Sequence, residues 1–95
     1  MPAYVIANVE ITDPVAFAEY LKGGPGTVAA YGGTYVARRG AVEVLEGDWV
    51  PTRLTVLKFD GVAQAKAWYE SPEYRPLREI RHQSAKSKIL IVEGL

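Results

Sequence analysis

An α+β fold, with a four-stranded antiparallel sheet and two helices on one of its faces, is what this sequence predicts. Three observations carry the prediction. Apolar residues alternate or run together in four stretches: Tyr4 to Ile11, Thr34 to Glu46, Thr52 to Phe59 and Lys88 to Glu93. Between them lie two longer stretches, opened by Asp13-Pro14 and by Asp60, in which apolar residues recur at spacings of three and four. The resulting order is β-α-β-β-α-β, with no internal repeat, linker or low-complexity tract, which is the ferredoxin-like arrangement.

In the first strand Val5, Ala7, Val9 and Ile11 share one face, and Tyr4, Ile6, Asn8 and Glu10 the other. The first face is wholly apolar and the second turns polar only at Asn8, so the strand reads as central and covered on both sides. Asp13 as N-cap and Pro14 at the first helical position start the first helix. Its stripe runs through Phe17, Leu21, Gly24, Val28 and Tyr31, with Tyr20 beside it. Pro25, within Gly23-Gly24-Pro25-Gly26, cannot donate to the Leu21 carbonyl, so a kink or short break is expected there. The glycines match no phosphate-binding fingerprint and do not join a strand to a helix. Gly32 takes the left-handed position that closes the helix.

Thr34 to Arg39 reads as the second strand, Gly40 as a bulge, and Ala41 to Glu46 as its continuation. Gly47 to Pro51 is turn chemistry, and Thr52 to Phe59 returns as the third strand, completing a long hairpin. Asp60 caps the second helix, which stops near Glu70 at the Ser71-Pro72 signal and restarts from Leu77 to about Ala85. The last strand, Lys88 to Glu93, contains Ile89-Leu90-Ile91-Val92 and is apolar on both faces.

All 95 residues are read as one domain, with 48% apolar and 23% charged residues. Eleven basic residues balance eleven acidic ones, so no global field draws in nucleic acid or an anionic membrane. The absence of cysteine removes disulfides, thiolate nucleophiles and Cys-ligated metal sites. A single His and no acidic cluster argue against a metal site, and no cofactor is implied. With no basic-then-apolar leader and no apolar run of spanning length, the expected location is the cytoplasm.

Two helices cover one face of a sheet whose first and fourth strands are apolar on both. Bare, the second face would be an aggregation hazard. Covering it is worth about 25 cal/mol per Å² before entropic costs, so a homodimer with two sheets packed face to face is expected.

Several blocks resemble a small bacterial family, domain of unknown function 1330. They are Ala7-Asn8-Val9, Thr12-Asp13-Pro14, Tyr31-Gly32-Gly33, Val44-Leu45-Glu46-Gly47-Asp48-Trp49, Ala67-Trp68-Tyr69-Glu70-Ser71-Pro72-Glu73-Tyr74 and Val92-Glu93-Gly94. The similarity spans nearly the whole chain. It implies a dimeric α+β barrel, in the superfamily that also holds antibiotic-biosynthesis monooxygenases, muconolactone isomerases and stress-responsive barrel proteins. It implies no particular reaction.

Trp68, Tyr69 and Tyr74 flank the helix break and are joined by Tyr20 and Tyr31 from the first helix. They either line a pocket for a small planar or cyclic ligand or build a core of large aromatics. Arg75, Arg78 and His82 share one helical face, which can hold a carboxylate or phosphate, with Arg78 as a bidentate clamp, or can be a solvated strip paired with Glu73 or Glu79. His82 alone has an ordinary pKa near neutrality and is the natural general acid or base. Arg38 and Arg39 alternate, so one faces inward and needs an anion from Glu46 or a ligand. Asn8 either steers a ligand oxygen or satisfies backbone.

Two functions follow. In the first, a homodimer binds a small anionic or cyclic compound, and cofactor-independent isomerase, lyase or monooxygenase chemistry is the reaction class such a site would serve. Arg38 and Arg78 fix the charge, Trp68, Tyr74, Tyr20 and Tyr31 form the walls, and Asn8 or His82 assists proton movement. In the second, a non-catalytic accessory or stress-related dimer binds a protein partner through a patch at Trp49. Nucleic-acid binding ranks behind both.

Overall fold

The computed structural model describes residues 1–95. Its elements are β1 (Ala3–Ile11), α1 (Pro14–Ala30), β2 (Thr34–Arg38), β3 (Leu54–Phe59), α2 (Val62–Tyr69), α3 (Arg75–Ser84) and β4 (Ala85–Glu93). The sheet order is β2-β3-β1-β4 with every neighbouring pair antiparallel, so β1 is central and β4 is an edge beside it. This is the α+β arrangement the sequence predicts, with α2 and α3 together occupying the place of the second helix.

The two faces of β1 have different neighbours. Val5 joins Leu57 and Phe59 of β3, Val28 of α1 and Ala65, Trp68 and Tyr74 of the helical layer in the main core. Val9 packs with Phe17 and Ala85 in a smaller one. The opposite face carries Ile6 and Asn8, and beside them Leu90, 55% exposed, and Val92 on β4. Val36 on β2 and Trp49 are also more than half exposed. No helix is long and apolar enough to cross a membrane.

Asp13 caps α1 as expected, its carboxylate accepting from Ala16 N at 3.1 Å. The expected break at Pro25 is absent, because α1 runs unbroken over 17 residues. Proline removes one donor, and the glycine before it has no Cβ to collide with the ring. Thr27 Oγ1 also donates to the Gly24 carbonyl at 2.7 Å, holding the turn. Gly23 has a packing role: a Cβ there would lie 3.0 Å from both Leu77 methyls, so glycine lets α1 and α3 approach closely. Gly32 takes the left-handed conformation expected of it, at φ 76°.

The long hairpin is not formed. β2 stops at Arg38, its irregularity lies between Tyr35 and Ala37 rather than at Gly40, and Ala41 to Glu46 are not in a strand. The alternation at 41–46 has no partner to pair with. Pro51 lacks an N–H, and the N–H groups of Thr52 and Arg53 both donate to Asn8 Oδ1, at 2.9 and 3.1 Å. Arg39 itself has φ 60°, turning the chain out of the sheet.

Gly61, not Asp60, is the N-cap of α2. α2 ends at Tyr69, and Ser71 shapes the break: its hydroxyl donates to the Trp68 carbonyl (2.8 Å) and accepts from Tyr74 N (3.1 Å). α3 begins two residues earlier than expected, because Pro76 falls in the first turn, where no donor is needed. β4 begins directly at Ala85, three residues before the expected Lys88.

Candidate functional site

A cavity of about 60 Å³ lies between the sheet and the helical layer. It lies where α1, packed along α3, faces the sheet through Phe17 and Val28. Its floor is Val5, Ala7 and Val9 of β1 with Thr55 and Leu57 of β3, and its roof comes from α1, Trp68, Tyr74 and α3. The bulge in β2 puts both Tyr35 and Arg38 on the cavity side, since Tyr35 pairs with Leu57 and Arg38 with Thr55 although they are three residues apart.

Aromatic packing sets the roof. Trp68 lies 4.2 Å from the Tyr74 ring and 5.5 Å from Phe59, and its indole N–H donates to Thr27 Oγ1 at 3.1 Å. Tyr74 is fully buried, and its hydroxyl shares a 2.7 Å hydrogen bond with that of Tyr20. Beside this pair sits Arg81 of α3, only 2% exposed. Its Nε donates to the Tyr74 hydroxyl at 3.4 Å, a long contact, and its Nη2 has no partner. None of the ion pairs in the molecule involves it. A buried guanidinium without a counter-ion is costly.

The electrostatics agree. Burial works against the charge on Arg81, but the phenol oxygens of Tyr74 and Tyr20 outweigh it and hold its pKa above the ordinary value. Burial, then the Tyr74 oxygen, pushes Tyr20 well above the usual phenol range. Burial also raises Tyr35, with Arg38 opposing. Arg53 sits at the start of β3, its guanidinium 5.5 Å above the Phe17 ring, while that of Arg38 lies 4.7 Å above Tyr35. Burial lowers the Arg53 pKa, and the charges of Arg39 and Arg38 lower it further. The wall thus carries three guanidiniums and three phenols, but no carboxylate or imidazole. It can bind and polarise an anion, and none of its side chains can take up a proton near neutral pH.

Of the residues singled out from the sequence, Arg38, Trp68, Tyr74 and Tyr20 meet at this cavity. The others lie elsewhere. Tyr31 flanks the aromatic core and donates to the Glu73 carboxylate at 2.8 Å. Arg78 donates to the Tyr69 carbonyl at 3.1 Å, lies 3.3 Å from the Glu70 carboxylate and covers the Tyr69 ring. His82 is exposed on α3, 3.8 Å from Glu79. Asn8 holds the chain before β3 from the opposite face of the sheet. Arg81, Arg53 and Tyr35 were not anticipated as site residues. The signal for Arg81 was present: it occupies the buried stripe of α3 with Leu77 and Ser84, where a cation is out of place.

The model of a family described as domain of unknown function (DUF1330) matches residues 2–95. No curated protein matches at a significant level. Among solved structures, a protein of unknown function from Rhodopseudomonas palustris is similar at a TM-score of 0.78 and 19% identity, over 99% of this chain and 82% of that one. A dimeric ferredoxin-like protein of unknown function from Jannaschia gives 0.71 and 12%, over 99% and 100%. SnoaB from Streptomyces nogalater, a cofactor-independent oxygenase, gives 0.69 and 9%, over 99% and 93%. At these identities the likeness is one of fold.

Proposed function

The chain belongs to the DUF1330 family of ferredoxin-like α+β proteins, and from that premise we propose that it is a homodimer that binds a small organic anion in the cavity between sheet and helices. The observation that carries this reading is Arg81, buried and charged at the cavity wall with no carboxylate beside it and no partner for its Nη2. In the proposed complex the anionic head accepts from Arg81 Nη2 and from the Tyr20–Tyr74 hydroxyl pair, which replaces a costly orphan charge with a charge-assisted hydrogen bond. Trp68 and the aliphatic floor receive the rest of the ligand, and Arg38 lies at the exposed side.

Such a wall stabilises negative charge that develops on a bound molecule. That suits isomerase, lyase or oxygenase chemistry passing through an anionic intermediate, with the proton leaving to the ligand's own acceptor or to water. The cofactor-independent oxygenase of similar fold is consistent with this direction. The apolar face bearing Ile6, Leu90 and Val92 is assigned to the second copy of the chain, which leaves the cavity on the opposite side of the sheet free for ligand.

A thermal-shift screen of short carboxylates on the wild type and on Arg81→Met tests the proposal. At about one hundred times Kd a bound carboxylate stabilises the wild type by about 2.7 kcal/mol. Arg81→Met folds, because methionine fills the space without a buried charge, and shows no shift with any carboxylate. Equal shifts in both proteins would remove Arg81 from the site, and no shift in either would dismiss the binding function.

A further inference from the structure

We infer that the ligand carries two carboxylates joined by a short apolar spacer, one seated on Arg81 and the other on Arg38 and Arg53; this rests on the anion-binding reading above and narrows its ligand class. The guanidiniums of the cavity wall fall into two groups. Arg81 belongs to the roof and is buried, whereas Arg38 and Arg53 belong to the floor, the first exposed and the second half-buried. The lining they share is mostly apolar, with Val5, Ala7 and Leu57 in it, and the Tyr20 and Tyr35 phenols lie near enough to feel the charges.

Neither Arg38 nor Arg53 forms an ion pair with any carboxylate of the chain. Their mutual repulsion is therefore uncompensated at the open side of the cavity, and one bound carboxylate at Arg81 would leave it so. Volume sets the length of the spacer. About 10–15 Å³ is needed for each water-sized group, so 60 Å³ encloses about four to six non-hydrogen atoms. That is one carboxylate and a chain of about one to three carbons, which delivers a second carboxylate to the open side. A carboxylate also suits the inner end, where Arg81 Nη2 and the Tyr20–Tyr74 hydroxyls can meet its two oxygens.

Calorimetric titration of the full chain with succinate and with butyrate, its nearest monoanion in length, separates the possibilities. The same titrations are made on the double variant Arg38→Gln/Arg53→Gln, whose sites are at the surface side, with circular dichroism checking the fold. Succinate is expected to bind the wild type about tenfold more tightly than butyrate, as a second charge-assisted contact implies. In the double variant the two acids are expected to bind alike, the succinate-to-butyrate ratio falling to about one. Equal binding of both acids by the wild type, or a succinate preference that survives in the double variant, overturns the two-carboxylate inference and leaves the single-anion site standing. Failure of both acids to bind overturns that site as well.

Discussion

At the scale of single residues, Tyr20 and Arg81 govern how the cavity behaves with pH. Arg81 keeps its charge over the whole accessible range, and Tyr20 keeps its proton because burial and Tyr74 disfavour the phenolate. The sign of the linkage follows. In the unfolded chain Tyr20 ionises near pH 10, but in the folded chain it does so only well above that. The stability contributed is complete below pH 10 and falls as pH rises past it, by up to about 1.4 kcal/mol per pH unit. Urea midpoints between pH 9 and 11 should therefore drop steeply for the wild type and less steeply for Tyr20→Phe. That variant should lose about 1 kcal/mol at neutral pH for the missing hydroxyl contact with Tyr74. Identical alkaline slopes would contradict the burial assigned to Tyr20. The sequence pointed to Tyr20, Trp68, Tyr74 and Arg38 of this cavity but not to Tyr35, nor to which of its many arginines lacked a carboxylate. Arg78 and Arg81 both lie on α3; one turns to the Tyr69 carbonyl and the Glu70 carboxylate, and the other is buried beside the Tyr74 hydroxyl at the cavity wall. Spacing along a helix gives the face, and the partner is fixed only when α1 packs on it.

Secondary-structure elements were legible where the signal was local. The Asp13-Pro14 start of α1, the left-handed Gly32 and the break between α2 and α3 at Ser71 are all chain-local effects, and the structure has them. The misreadings came where a distant partner decided the outcome. Ala41 to Glu46 has strand-like alternation but no strand beside it, since Asn8 takes the N–H groups that an extended β3 would offer. α1 passes through Pro25 because Gly24 removes the steric conflict and Gly23 ties the helix to Leu77. Proline is still the poorest helix former, by about 3 kcal/mol against alanine, partly offset because it restricts the unfolded chain. Pro25→Ala should accordingly stabilise the protein by about 2 kcal/mol, read from the denaturant midpoint. Destabilisation would mean that the proline shapes α1 in a way the continuous helix does not reveal.

The whole molecule joins two surfaces of opposite character on the two sides of one sheet. On the helical side the sheet encloses a small cationic cavity; on the other it presents Ile6, Leu90 and Val92 to solvent. The proposed dimer covers the second surface. Sedimentation at micromolar concentration should show a two-chain species for the wild type and a single-chain species for Leu90→Asp, because a buried unpaired carboxylate is not tolerated in an apolar interface. A monomeric wild type would leave that face unexplained and remove the dimer. The cavity tests the account more directly. The chain has no cysteine for a halogenated acid to alkylate, so crystals can be soaked in 3-bromopropionate and the bromine located by its anomalous signal. The carboxylate is expected on Arg81 Nη2 and the Tyr20–Tyr74 hydroxyls, with the bromine in the cavity toward Arg38. A cavity holding only ordered water at saturating acid, with Arg81 hydrogen-bonded to that water, would contradict it.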